Sequence, residues 1–210
     1  MNKYTWQAIG IFCSLAVSPI FAQESLSVFS GKVETADTQP IELGVKFRID
    51  VDGEVSAIRF YRDVPIDSGY AARLWSATGE LLGGGVAVEG QGPTPGWQTI
   101  QLYPSVLIKA GQTYIASYYA SQGQYTVSED FFTQNIIQNG PLHLLYDGED
   151  GGNGVYVYGA GGGFPTESYH ASNYWVDVVF KPISAQTPDG VTQEPGGEGQ
   201  LQGCRRKKGC

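Results

Sequence analysis

Cysteine is scarce in this chain, which has only Cys13, Cys204 and Cys210 among its 210 residues. Cys13 lies in the N-terminal segment and the other two lie near the C-terminus, so the central part of the chain contains no thiol. A fold that depends on disulfides is therefore excluded. A domain of roughly 160 residues can bury enough apolar surface to be stable without them.

Basic residues are also few. Residues 23–182 contain eight Lys and Arg against 18 Asp and Glu, and the whole chain has a formal net charge of −8. Because such a charge repels a polyanion, the composition excludes a nucleic acid as the partner. Neutral ligands such as sugars, and cations, are compatible with it.

Long hydrophobic runs are missing as well. An apolar stretch of only ten residues, 8–17, follows Lys3 and precedes Pro19 and Ala22, an order typical of a secretory signal peptide. It is too short for a membrane-spanning helix, which needs about 20 residues. We therefore predict a cleaved signal peptide over 1–22, no transmembrane segment after cleavage, and secretion to the extracellular or periplasmic space.

The C-terminal segment lacks large apolar residues. From residue 183 the composition turns to Pro, Gly, Gln and Glu, which predicts a disordered tail over 183–210. The tail ends in CRRKKGC (204–210), a basic cluster between two thiols. It is either a solvated charge run or a remnant of a surface-attachment tail.

The motifs of hydrolases and cofactor-dependent enzymes are absent. The chain has no G-x-S-x-G, H-E-x-x-H, C-x-x-C, Walker or G-x-G-x-x-G motif, and His143 and His170 are its only histidines. We therefore predict a binding module that is not an enzyme and has no cofactor, calcium aside. Paired carboxylates for glycoside hydrolysis stay open as an alternative, because sequence spacing does not give their separation in space.

Apolar residues alternate with polar ones between frequent Gly and Pro residues, which predicts strands. The dipeptide Asp52-Gly53 suits a type I′ turn, and the resulting hairpin would place Val45 opposite Phe60 and Phe47 opposite Ile58. A second hairpin is predicted around 77–80. The fold class that follows is all-β: a two-sheet antiparallel β-sandwich, jelly-roll-like, forming one domain over 23–182.

The other elements of this sandwich follow from the same alternation. A short helix is predicted over 131–139. The second hairpin joins two strands, and six more are predicted, so that the set is 71–76, 81–89, 97–103, 112–119, 124–128, 142–146, 154–158 and 173–181.

The loop DGEDGGNG (147–154) is rich in oxygen ligands. Calcium binding is one interpretation, and a Gly/Asp-rich surface turn is the other, since the order does not match an EF-hand. The residues that would bind the metal are Asp147, Glu149, Asp150 and Asn153.

Three tryptophans lie on the polar phase of their predicted strands. Trp75 shares its phase with Arg73, Trp97 with Thr99, and Trp175 with Asp177. Outward aromatic faces next to hydrogen-bonding groups are typical of sugar-binding surfaces. The alternative is that these indoles pack under loops or against the edge of the other sheet.

Eight runs in order along the chain form a recognisable pattern: ELGVKF (42–47), IRFYR (58–62), LWSATGELL (74–82), GWQ (96–98), ASYYA (116–120), PLHLL (141–145), NGVYVYG (153–159) and NYWVDVVF (173–180). They resemble a bacterial extracellular β-sandwich family, domain of unknown function four thousand and eighty-two, over about 25–182. The resemblance implies a module of the kind appended to secreted carbohydrate-active enzymes, adhesin-like proteins and other surface proteins. The family tends to have histidines where this chain has Tyr119 and Gln124, whereas His143 and Trp175 match.

These patterns lead to a functional hypothesis, a secreted non-catalytic module that binds a glycan or cell-surface polysaccharide. The alternative is an adhesion or structural surface module that binds a protein, with calcium as a possible stabiliser. For the first hypothesis the predicted contacts are stacking platforms at Trp75, Trp97 and Trp175 and polar contacts at Tyr125, His143 and Tyr156.

Overall fold

The structure is a computed structural model that describes residues 38–63, 69–88, 92–133 and 137–183. The predicted signal peptide and all but the first residue of the predicted tail lie outside the described residues. Within these ranges, no helix is long and apolar enough to cross a membrane.

The described residues form eleven strands and one short 3-10 helix, Phe131–Thr133. The strands are β1 (Ile41–Ile49), β2 (Gly53–Arg62), β3 (Tyr70–Ser76), β4 (Leu81–Val86), β5 (Gly96–Ile108), β6 (Tyr114–Ala120), β7 (Ile137–Asn139), β8 (Leu142–Leu144), β9 (Val155–Tyr158), β10 (Glu167–Ser168) and β11 (Val176–Pro182).

The strands form two sheets of unequal width. The larger sheet has eight strands, with the order β10-β9-β1-β6-β3-β4, and β8 joins β1 beside β9 and carries β7 on its other edge. The smaller sheet has the order β11-β2-β5. Every pairing of these strands is antiparallel, so the predicted two-sheet antiparallel sandwich is confirmed.

The core lies between the facing apolar phases of the two sheets. On β5, Ile100 and Leu102 are buried, whereas Gln101 and Tyr103 point outward. Rings also join the sheets, since Phe60 of β2 stacks on Tyr118 of β6 with centroids 4.4 Å apart. Each large apolar side chain buried in this way stabilises the fold by about 1.5–3 kcal/mol.

The predicted hairpin at Asp52-Gly53 is wrong. β1 pairs with β6, β8 and β9, whereas β2 pairs with β5 and β11, so the dipeptide connects the two sheets. Facing strands of a sandwich show the same alternation as paired strands of a hairpin, and sequence pattern does not separate them. Gly53 is required for close packing instead, because a Cβ there would overlap the ring of Phe180.

The second predicted hairpin is confirmed. β3 and β4 pair across a turn in which the amide of Gly79 donates to the carbonyl of Ser76, 3.1 Å away, and Gly79 has a φ of +89°. Two other predictions are corrected. Residues 124–128 form no strand, although Ser128 bridges to Asn173. In place of the helix predicted over 131–139, the structure has a 3-10 turn at Phe131–Thr133 and strand β7 from Ile137, and residues 134–136 lie outside the described residues.

Candidate functional site

The larger sheet extends beyond the smaller one at the β9–β10 edge. In the smaller sheet, β11 packs over β1 and β6 and β5 packs over β4, which leaves β9 and β10 beyond the edge strand β11. Tyr156 and Tyr158 of β9 lie opposite Leu43 and Ile41 of β1, so they project from the core-facing side of the larger sheet. This overhang of β9 and β10 therefore exposes side chains that project from the core-facing side of the larger sheet.

Five tyrosines line an open cleft of about 270 Å³ on this overhang. Tyr174, from the segment before β11, is buried at its base, whereas Tyr158 and Tyr169 are 43% and 50% exposed. We call this site the tyrosine cleft, and its lining residues are Ile41, Tyr125, Tyr156, Tyr158, Tyr169 and Tyr174.

Neighbouring rings of the tyrosine cleft stand nearly perpendicular to each other. The interplanar angle is 75° between Tyr156 and Tyr158, 76° between Tyr156 and Tyr174, and 81° between Tyr125 and Tyr174. The centroid separations are 5.7, 6.3 and 5.8 Å, the range of favourable edge-to-face aromatic pairs. The rings therefore form walls in different orientations and no flat platform.

Carboxylates and a histidine surround the rim of the cleft. Tyr156 donates a hydrogen bond to Glu167, its cross-strand partner on β10. Tyr169 stacks on His170 with ring centroids 3.9 Å apart, and His170 Nδ1 lies 3.2 Å from Glu129 Oε2. Burial, together with the charge of Glu167, raises the pKa of Tyr156, so its hydroxyl stays protonated at neutral pH.

Trp75 does not belong to this cleft and is not an exposed platform. Its indole is only 8% exposed on the outer face of the larger sheet, where Phe164 covers it with a centroid separation of 5.7 Å. The indole Nε1 donates to Ser117 Oγ at 2.8 Å. The predicted phase is correct, but the connection between β9 and β10 closes over the ring.

Trp97 and Trp175 lie on the outer face of the smaller sheet, where they form a ring cluster with Tyr61. The centroids of the two indoles are 6.4 Å apart, and Tyr61 lies 5.4 Å from Trp175. Trp97 is half-buried and Trp175 is 4% exposed. The three indoles therefore do not line one groove, because they lie on different sheets and neighbouring side chains cover two of them.

His143 lies in a second, separate cleft. It belongs to β8, which pairs with the end of β1 near Ile49, whereas the tyrosine cleft lies at the Ile41 end. These two ends are about 26 Å apart along an extended strand. His143 Nε2 approaches Asp50 Oδ2 at 2.7 Å, in an open cleft of about 280 Å³ that also contains Arg48 and Tyr146. His143 thus cannot share a small ligand with Tyr125 and Tyr156.

The acidic loop at 147–154 binds the protein's own cations. Arg48 lies 2.7 Å from Glu149 and 3.2 Å from Asp150, and Lys46 donates to the carbonyl of Asp150. Across the described residues, no group of three or more His, Cys, Asp or Glu side chains could hold a metal ion. Calcium binding at this loop stays a prediction.

Asn153 is buried and anchors the acidic loop to β1. Its Oδ1 accepts from the amides of Lys46 and Gly154 at 2.8 and 2.7 Å, and its Nδ2 donates to the carbonyls of Lys46 and Leu145. With both polar atoms engaged in this way, the side chain acts as a structural anchor. Asp147 accepts from the Asn153 amide at 2.9 Å and so supports the same turn.

A buried carboxylate that the sequence analysis missed lies beside Trp75. Glu42 is fully buried, pairs with Arg73, and accepts from Ser117 at 2.6 Å. Burial raises the pKa of Glu42 to about 7, although both hydrogen-bonding partners favour its charged form. A glycine-rich loop, 159–163, covers the pair, and a Cβ at Gly162 would overlap both side chains.

Of the six predicted ligand contacts, only Tyr125 and Tyr156 line the tyrosine cleft. Tyr158, Tyr169 and Tyr174 were missed as site residues. Tyr174 had the phase of a core residue, and nothing local distinguished Tyr169. The available signal was the density of tyrosine over 156–174, which holds four of the five rings.

Comparison with known proteins identifies the family of this chain. No curated protein matches the chain. The model of the family described as Domain of unknown function (DUF4082) matches residues 28–176, which is more than half of the chain. The resemblance seen in the sequence is therefore confirmed, and the chain belongs to this family.

Proposed function

We propose that the protein is a secreted, non-catalytic carbohydrate-binding module and that the tyrosine cleft is its binding site. The observation that carries this proposal is the convergence of five tyrosines on one open cleft. The ring faces offer an apolar surface to sugar C–H groups, and the hydroxyls offer hydrogen-bond donors and acceptors. Few other side chains combine both properties at one site.

Polar groups at the rim support the proposal. Sugar hydroxyls need partners that accept and donate, and the carboxylates of Glu129 and Glu167 can accept from them. Because Tyr169 is half exposed, its ring face can contact a ligand without a conformational change. The affinity expected for a cleft of this kind is modest, since only a few rings contribute.

Secretion is part of the proposal and rests on the sequence of residues 1–22. A carbohydrate-binding module without catalytic motifs would act on polysaccharide outside the cell. N-terminal sequencing of the mature protein tests this part, because cleavage after Ala22 predicts a chain that begins at Gln23.

Pull-down on insoluble polysaccharides and a glycan array test the binding function. We expect Tyr158→Ala and Tyr169→Ala to reduce binding at least tenfold, a loss of about 1.4 kcal/mol. Tyr103→Ala is the matched control, because Tyr103 is a 93% exposed tyrosine on β5 and does not line the cleft. Absence of binding by the native chain across a broad panel would contradict the proposal.

A second function, adhesion to a protein, is favoured by one observation. On β5, Tyr103 and Leu107 alternate with buried residues, so they project from the outer face of the smaller sheet, where they are 93% and 70% exposed. Large apolar side chains exposed on one face are typical of a protein interface. The same variants separate the two functions, since Tyr103→Ala would then reduce binding and Tyr169→Ala would not.

A further inference from the structure

The shape of the tyrosine cleft narrows the class of ligand. A sugar can stack its C–H face on one exposed ring, but no flat surface spans several rings of this cleft, because neighbouring rings meet at interplanar angles of 75°, 76° and 81°. Walls in several orientations contact a compact, roughly spherical group from more than one side. An organic ammonium group has this shape and is attracted to aromatic faces.

The charges around the cleft favour a cation. Among the described residues that line it there is no Lys or Arg. Glu167 lies next to Tyr156 and accepts a hydrogen bond from its hydroxyl, and Glu129 lies behind the stacked ring of His170. Cations elsewhere on the larger sheet are held by acids, as Arg73 is by Glu42 and Arg48 by Glu149.

We infer that the tyrosine cleft binds an organic ammonium group, and that its ligand is a sugar with a free amine, such as a glucosamine unit of a polysaccharide. This inference rests on the proposed function, since it names the sugar class that the same cleft would take. The ammonium contacts the faces of several tyrosines, the carboxylates at the rim balance its charge, and the sugar ring extends toward solvent past Tyr158 and Tyr169.

A comparison of three ligands with the purified full chain tests this inference. Titration calorimetry measures the affinity for a glucosamine hexamer, for the fully N-acetylated hexamer and for choline, at mildly acidic pH where the amine is protonated. Acetylation removes the charge and keeps the sugar ring. We expect the free amine to bind at least about tenfold more tightly than the acetylated sugar, and choline to compete with it.

Two variants of Tyr169 distinguish the contribution of its aromatic ring to binding from that of its hydroxyl. Tyr169→Leu should weaken glucosamine binding about tenfold, whereas Tyr169→Phe, which keeps the π face, should stay within about twofold of the native chain. The matched control is Tyr146→Leu, because Tyr146 is 49% exposed and lies in the His143 cleft. Since Tyr169 and Tyr146 are both at the surface, the variants should fold, which thermal melting checks.

The role of the rim charge has its own variant. Glu167→Gln should weaken binding of the glucosamine hexamer severalfold and reduce its dependence on salt. If Glu167→Gln changes the affinity neither for the glucosamine hexamer nor for choline, the Glu167 carboxylate does not recognise the cation. That result overturns the part of the inference that depends on Glu167.

The outcomes distinguish failure of the inference from failure of the proposed function. Equal or tighter binding of the N-acetylated hexamer overturns the ammonium inference and leaves carbohydrate binding in place. Binding of choline that Tyr169→Leu abolishes, without binding of any glycan, supports ammonium recognition and overturns the carbohydrate function. If the protein binds neither the glucosamine hexamer nor choline, the inference is overturned.

Discussion

The larger sheet has two aromatic regions, the Trp75 site and the tyrosine cleft. In each of them the exposure of the side chains is the reverse of what strand alternation predicts. Trp75 projects from the outer, polar phase and is buried, because Phe164, in the connection between β9 and β10, covers it. Tyr156 and Tyr158 project from the inner, apolar phase and line an open cleft. Strand β9 takes part in both regions, since Val155 packs beside Trp75 on its other face.

The difference shows that two separate features decide exposure. Alternation along a strand determines the face of the sheet from which a side chain projects. What lies above that face depends on loops and on the width of the opposite sheet. At the Trp75 site a loop covers the polar face, and at the tyrosine cleft the smaller sheet ends too early to cover the apolar face.

The largest expected effect is a difference in stability between variants of the two regions. Trp75→Ala should lower the free energy of unfolding by about 3–5 kcal/mol, because it removes a buried ring and leaves a cavity under Phe164. Tyr169→Ala, at a half-exposed position, should change it by about 0.5 kcal/mol or less. Urea unfolding of both variants checks this. Equal losses would mean that the cleft tyrosine is as structural as the covered indole.

The second expected effect is on the pH dependence of the free energy of unfolding, which should differ between a buried and an exposed carboxyl group. Glu42 has a higher pKa folded than unfolded, so its contribution to stability is full below pH 4.5 and is lost as the pH rises through about 7. The loss amounts to about 3 kcal/mol at most. Glu42→Gln should remove this decline when unfolding is measured from pH 4.5 to 8.

The control for the pH experiment comes from the tyrosine cleft. Glu167→Gln removes an exposed carboxylate, so its unfolding free energy should decline with pH in parallel with that of the native chain. A Glu42→Gln curve that also runs parallel to the native one would show that Glu42 does not titrate in this window. Arg73 would then hold the buried carboxyl charged throughout.

Much of the fold was predictable because alternation is a local property. The apolar phases of β1, β2 and β5 were correctly assigned, and the hairpin of β3 and β4 was placed at the correct turn. The assignment of β1 and β2 to one sheet failed at Asp52-Gly53, because Val45 and Phe60 have the same phase in a hairpin and in facing sheets. Long-range pairing decides between the two arrangements, and no local pattern records it.

The candidate site was less predictable for the same reason. The tyrosine cleft exists because β1 pairs with β9, which lies more than a hundred residues along the chain, and because the smaller sheet ends at β11. Tyr125 and Tyr156 were selected as polar contacts, but Tyr174 has the pattern of a core residue. Its position at the base of the cleft follows only from the width of the two sheets.

The smallest expected effect concerns the loop that covers Glu42 and Arg73 next to Phe164, where two neighbouring glycines form a matched pair. Gly161 and Gly162 have φ angles of +87° and +73°, so alanine at either position costs about 1–2 kcal/mol in backbone strain. At Gly161 the new Cβ has no neighbour within 4 Å, whereas at Gly162 it overlaps Glu42 and Arg73. Gly162→Ala should therefore be less stable than Gly161→Ala by about 1–3 kcal/mol.

Tryptophan fluorescence tests whether the additional loss of stability in Gly162→Ala comes from movement of the 159–163 loop. If the loop must lift away from Glu42, acrylamide should quench Trp75 more strongly in Gly162→Ala than in Gly161→Ala, with Trp97 and Trp175 as an unchanged background in both. Equal stability and equal quenching would show that the loop accommodates a methyl group without moving. Glu42 and Arg73 would then have yielded to the methyl group, and Phe164, Ile115 and Val155 would keep Trp75 covered.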